Sequence, residues 1–134
     1  MIEHIIFLEE KIATIVRGTH TVENLEFFTD DTNPLQVGMH SKKAGTNLTP
    51  HIHLSKTKVI TEIQEVLYLI KGKVKVTFYT IEGDIIDEKT LNTGDIAILM
   101  KLGHGFEVIE DSLILEVKQG PYPGTQHAKI YLKK

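Results

Sequence analysis

Turn-forming residues recur at short intervals along this chain and leave little room for long helices. Glu82-Gly83-Asp84 and Asn92-Thr93-Gly94-Asp95 read as turns, and Lys71-Gly72-Lys73 as a tight turn between two strands. The segments between such signals are rich in Val, Ile, Thr, Tyr and Phe, which suits strands. Val74, Val76 and Phe78 alternate with Lys73, Lys75 and Thr77, the period-two pattern of a half-buried strand. Residues 66–70, Val-Leu-Tyr-Leu-Ile, form a continuous apolar run expected to be buried on both faces, with Tyr68 in the core. Further strands are expected at 96–99, 106–109 and 113–117, with Phe106 in the core and Glu110-Asp111 separating the last two. A strand-like stretch covers 35–42, and 128–132 reads as a terminal edge strand. Helical periodicity is weak; 7–16 is the best candidate for one or two turns. Nine or ten short strands in 134 residues predict an all-β sandwich or small barrel. A barrel of this size can hold one small ligand or a metal.

That length suits one domain, expected to span 1–134. Lys and Arg number 15 against 18 Asp and Glu, a net charge of −3, which argues against a binder of nucleic-acid backbones. The basic pairs Lys42-Lys43 and Lys133-Lys134 read as solvated. Cysteine is absent, so disulfides, thiolate metal sites and a Cys nucleophile are excluded. The apolar run near the start, Ile5 to Leu8, is short and flanked by acids, unlike a secretory signal. No run approaches the length of a membrane span. A cytoplasmic protein is therefore expected, with the triplet Asn47-Leu48-Thr49 a chance match to the glycosylation signal. Neither a Gly-x-Ser-x-Gly elbow nor a phosphate-binding glycine loop is present.

The surplus is in histidine: His4, His20, His40, His51, His53, His104 and His127. His51-Ile52-His53 is the informative pair, because residues i and i+2 of a strand project from one face and so can share one metal. Pro50 precedes them, as suits the start or edge of a strand. Gly45 lies upstream, while Glu65 opens the apolar run that leads to Gly72. Further on, Gly94-Asp95 precedes 96–99, and His104 follows.

In this order the residues resemble the cupin superfamily. Gly45, His51, His53, Glu65 and Gly72 follow its first motif (about 45–72), and Gly94, Asp95 and His104 its second (about 94–106). The sequence departs from the pattern in three ways. The gap 54–64 is longer than usual, and so is expected to form a loop or hairpin beside the site. Met100 and Leu102 stand where the second motif has Pro and Gly, and His104 comes one residue early. The resemblance implies a double-stranded β-helix, or jelly-roll barrel, with little helix. It also implies one divalent transition metal per chain, held by His51, His53, Glu65 and His104. Three imidazoles and a carboxylate independently suit Fe, Mn, Co, Ni, Cu or Zn. Glu62 is the alternative carboxylate, since it and Glu65 have opposite strand parity. Gln64 should point away from Glu65.

His40, Glu62 and Lys118 are the candidates for moving protons or binding substrate beside the metal. Glu116 and Lys118 point inward if their strand lines the barrel and outward if it does not. Tyr122, in the loop 119–124, is placed at the barrel mouth, at a dimer interface or in ordinary turn packing. Two functions follow: an enzyme acting on a small polar molecule, through sugar or sugar-nucleotide isomerisation or epimerisation or through dioxygenation, and a non-catalytic barrel that binds or senses a sugar. The expected partners are a small molecule and a second copy of the chain, with no nucleic acid and no membrane.

Overall fold

Residues 1–124 and 128–132 are described in the structure, a computed structural model; His127 and the Lys133-Lys134 pair lie outside them. The described residues form eight strands. These are β1 (Ile2–Phe7), β2 (Glu10–Val16), β3 (Leu25–Phe27), β4 (Gly38–His40), β5 (Glu65–Tyr79), β6 (Ile85–Asn92), β7 (Ile96–Leu99) and β8 (Gly103–Lys118). No helix among the described residues is long and apolar enough to cross a membrane. The main sheet runs β1-β2-β7-β5-β6 with β8 on β5, and β3 and β4 form a separate ribbon.

The expected helix over 7–16 is instead a hairpin. β1 and β2 pair antiparallel around Leu8 and Glu9, both at positive φ (48° and 66°). A two-residue turn of this twist usually carries Asn or Gly, so the sequence lacks its usual signal. Ile12 to Val16 are all buried, because β2 is central and covered on both sides. Such a strand loses alternation and mimics a helix in sequence.

The largest correction concerns β5 and β8. Each is one long strand, where the sequence predicts two strands and an intervening turn. They pair from Glu65 opposite Lys118 to Tyr79 opposite Gly103. The register slips around Lys71 and Lys73, so the expected turn at 71–73 is a bulge and Glu110-Asp111 does not end a strand. The slip inverts side-chain parity. Leu67 and Leu69 are buried before it, and Val74, Val76 and Phe78 after it, all in one core cluster with Ile5, Ile12 and Ile15. Two ends of one ribbon can share a core only if the ribbon folds across itself. Gly72 sits at that fold with φ +115°, where a Cβ would lie 2.2 Å from Ser112 Oγ and 2.5 Å from the Asp111 carbonyl oxygen. Glycine alone fits there.

The result is an all-β, curled antiparallel half-barrel. The turns at 82–84 and 92–95 form as expected, with Gly83 and Gly94 at positive φ. Buried Asp95 fixes the second turn: its carboxylate accepts from the backbone N–H groups of Gly18 (2.7 Å) and Asn92 (2.8 Å) and pairs with Arg17 at 2.8 Å. Arg17 also holds Glu3, whose carboxyl that contact keeps below the usual range.

Other expectations give way. The run 66–70 is buried on one face only, leaving Tyr68 and Ile70 exposed, and Phe106 is exposed on β8. The strand expected over 35–42 shrinks to β4, and 128–132 forms no strand. The stretch 41–64 carries no strand or hairpin, and 41–61 is exposed throughout. A second cluster lies on the outer side of the sheet, where Phe28, Val37 and Met39 near the β3–β4 ribbon cover Val16 and Ile98.

Candidate metal centre at the mouth of the half-barrel

Glu65 is the first residue of β5, opposite Leu99 of β7 and Lys118 of β8. Residues directly opposite in a ladder share a face, so Glu65, Lys118 and core residue Leu99 all face inward. Leu67 likewise places Glu116 on the inner side. His104 lies near the other end of the ribbon, opposite buried Phe78, and is inward by the same rule. The fold at Gly72 swings the two ends together: His104 Nε2 donates to Glu65 Oε1 at 2.6 Å, with side-chain exposures of 33% and 14%. The His104 hydrogen bond holds the Glu65 carboxyl below the usual carboxylate range; partial burial opposes this, and nearby Lys118 adds to the lowering.

The pair borders a cavity of about 650 Å³. Leu99, Met100 and the Pro121-Tyr122 loop form apolar wall, while Glu62 and Lys118 add charge. Lys118 Nζ lies 4.0 Å from Glu116 and 5.7 Å from the centre of the Tyr122 ring. Tyr122 therefore lines the cavity while staying exposed. Glu62 lines the same cavity, with its carboxylate 3.5 Å from Lys101. His40 is exposed on β4, opposite Leu25, and does not line the cavity.

Gln64 and Gln119, neither a site candidate from sequence, shape the wall. Gln64 is buried and turned from Glu65, exchanging amide hydrogen bonds with Asn33 at 2.7 and 3.0 Å. Gln119 Oε1 accepts from the Gln64 backbone N–H at 2.7 Å, and its buried Nε2 makes no hydrogen bond among the described residues. No sequence pattern marks these amides, because the pairing joins distant loops.

His51 and His53 lie on the exposed stretch before β5. Their rings stand edge-on with centres 5.1 Å apart, and His51 Nδ1 donates to the Thr49 carbonyl at 2.9 Å. The four expected ligands thus fall into two pairs, one at the cavity and one on the stretch. Among the described residues no three His, Asp or Glu side chains gather as a metal site. The donor types suit a transition metal, but only Glu65 and His104 converge. His4 and His20 serve locally, bonding Thr14 and Glu26.

Among known proteins, no family model, curated protein or solved structure matches the chain. The cupin resemblance rests on the motif residues alone.

Proposed function

We propose that this chain is a metal-binding cupin, with a jelly-roll barrel and one divalent transition metal held by His51, His53, Glu65 and His104. The Glu65–His104 contact carries the proposal. Two motif residues from distant parts of the chain meet at a cavity large enough for a small ligand, in the range of ordinary ligand sites. His51 and His53 supply a second pair of nitrogen donors on the segment that leads directly into Glu65.

A metal held there would supply Lewis acidity toward a carbonyl or hydroxyl oxygen, or oxygen chemistry. The protein's own groups hold the substrate. The apolar wall shields its body from water, and the Lys118 ammonium is available to a substrate oxygen at the mouth. Glu62 is the carboxylate placed to exchange a proton once it releases Lys101. The proposed activity is isomerisation or epimerisation of a sugar or sugar nucleotide, or dioxygenation of a small polar molecule. A second reading, a barrel that binds or senses a sugar without turnover, is favoured by one observation. Glu62 and Lys118 each already face an oppositely charged neighbour, so neither stands unengaged in the structure.

Elemental analysis of tag-free protein, followed by titration with Mn(II), Fe(II), Ni(II) and Zn(II), tests the metal. One equivalent per chain is expected; a protein that carries none and binds none of the four contradicts the proposal. Replacing both His51 and His53 by Ala should abolish binding and leave the fold intact.

A further inference from the structure

Two features of the structure lack a counterpart. The first is β8, whose other edge pairs with no strand among the described residues. A long bare edge with exposed Phe106, Val108, Leu113, Leu115 and Val117 is a template for another strand. The second is the stretch 41–61, which is exposed throughout and carries Lys42, Lys43, Lys56 and Lys58 but no acid. Its Ile52, Leu54 and Val59 are 92%, 93% and 90% exposed. A chain segment that buries none of its apolar residues forgoes about 1.5–3 kcal/mol for each.

The two match side by side. Along the outer face of β8 the order is Glu107, Glu110, Leu113, Leu115. Read in the opposite direction, one face of the stretch runs Lys58, Lys56, Leu54, Ile52. The ladder already on that face alternates in sign from strand to strand. Glu88 of β6 meets Lys75 of β5 at 3.5 Å, and Lys75 meets Glu107 of β8 at 3.4 Å. Lys73 meets Glu110 at 3.2 Å. Lys58 and Lys56 continue the alternation by one strand. The apolar row does the same, since Ile96 of β7, Tyr68 of β5 and Leu115 of β8 are aligned partners, with Ile52 next. The match needs the small register slips that β8 already makes against β5.

We propose that residues 51–59 close onto the free edge of β8 as an antiparallel strand, with Lys58 and Lys56 facing Glu107 and Glu110, and Leu54 and Ile52 facing Leu113 and Leu115. Strand alternation then turns His51 and His53 to the inner face, the face of Glu65, Glu116 and His104. The connection is short enough. The His104–Glu65 contact already brings the start of β8 beside the start of β5, and six residues, 59–64, span up to about 20 Å. Closure therefore brings the two donor pairs onto one face. This last consequence rests on the proposed metal site, whereas the docking itself does not.

The chain has no cysteine, so engineered thiols report without background. Leu54→Cys with Leu113→Cys should oxidise to an intramolecular bridge roughly ten-fold faster than a control, Leu54→Cys with Ile81→Cys, given the local concentration of a docked strand. Ile81 is exposed in the β5–β6 connection. Equal rates, or bridging only between chains, overturn the proposal. Hydrogen exchange gives a second measure. Ile52→Asp with Leu54→Asp alters only exposed side chains and should raise exchange at the β8 edge amides about ten-fold; unchanged exchange contradicts docking. Bridging is measured in EDTA, and Zn(II) binding separately on the cysteine-free wild type. In-register bridging without any Zn(II) binding leaves closure standing and removes the metal; Zn(II) binding with off-register bridging does the reverse.

Discussion

The two halves of the β5–β8 ribbon share one core but differ in what surrounds it. Beyond the fold, residues 73–79 with 103–110 put Val74, Val76 and Phe78 inward and a salt-bridge ladder, Lys73–Glu110 and Lys75–Glu107, outward. Before it, residues 65–70 with 113–118 put Glu65, Glu116 and Lys118 on the inner face beside buried Leu67 and Leu69, and Tyr68, Ile70, Leu113, Leu115 and Val117 on the outer. The parity change at the bulge keeps the core face continuous, from Leu67 and Leu69 to Val74, Val76 and Phe78. One half is an ordinary solvated sheet over a core. The other sends Leu67 and Leu69 into that same core but adds charge beside them and turns apolar side chains to solvent, and it borders the cavity. Sites are found where local chemistry departs from what packing alone asks.

The comparison orders the expected effects of substitution. Phe78→Ala empties a fully buried site in the far half and should cost about 4 kcal/mol in denaturant unfolding, whereas truncating half-exposed Leu115 to Ala should cost under about 1 kcal/mol. If both cost the same, the outer face at Leu115 is covered and the contrast fails. Gly72→Ala strains the fold that joins the halves and should cost roughly 3 kcal/mol, with loss of the Glu65–His104 contact. The contact is readable in the His104 imidazole shifts by NMR.

Glu65→Gln should be milder, about 1 kcal/mol, and should change the pH dependence. The His104 contact depresses the folded pKa of Glu65, so the stability it gives is complete above the ordinary carboxylate range and disappears as pH falls through that range to the lowered value. The Gln variant should lose that part of the acid slope; an unchanged slope means the contact contributes nothing. Lys75→Met, on the solvated ladder, should have the smallest effect, one that vanishes in high salt.

Much of the far half was legible in sequence, because 73–78 alternates cleanly and the turns at 82–84 and 92–95 carry Gly beside Asp. The motif order also pointed to Glu65 and His104, which the fold brings into contact. Three things were hidden. The hairpin at Leu8-Glu9 uses left-handed residues with no glycine to announce them. The bulge at Gly72 looks like a turn, since a glycine between two lysines serves either. And the amide pairing of Gln64 with Asn33 joins residues that no spacing rule connects. The sequence puts His51 and His53 on one metal with Glu65 and His104, with 54–64 beside them; the two histidines do lie together, but no third His, Asp or Glu joins them among the described residues.

The central claim is that the two donor pairs belong to one metal centre. Calorimetric titration of Zn(II) into the wild-type protein, into Glu65→Gln and into the variant with His51 and His53 both replaced by Ala tests it most directly. One site per chain is predicted in the wild type, and each variant should lose that same site. If either variant still binds Zn(II) with undiminished affinity, the altered residues do not belong to that site and the account is wrong.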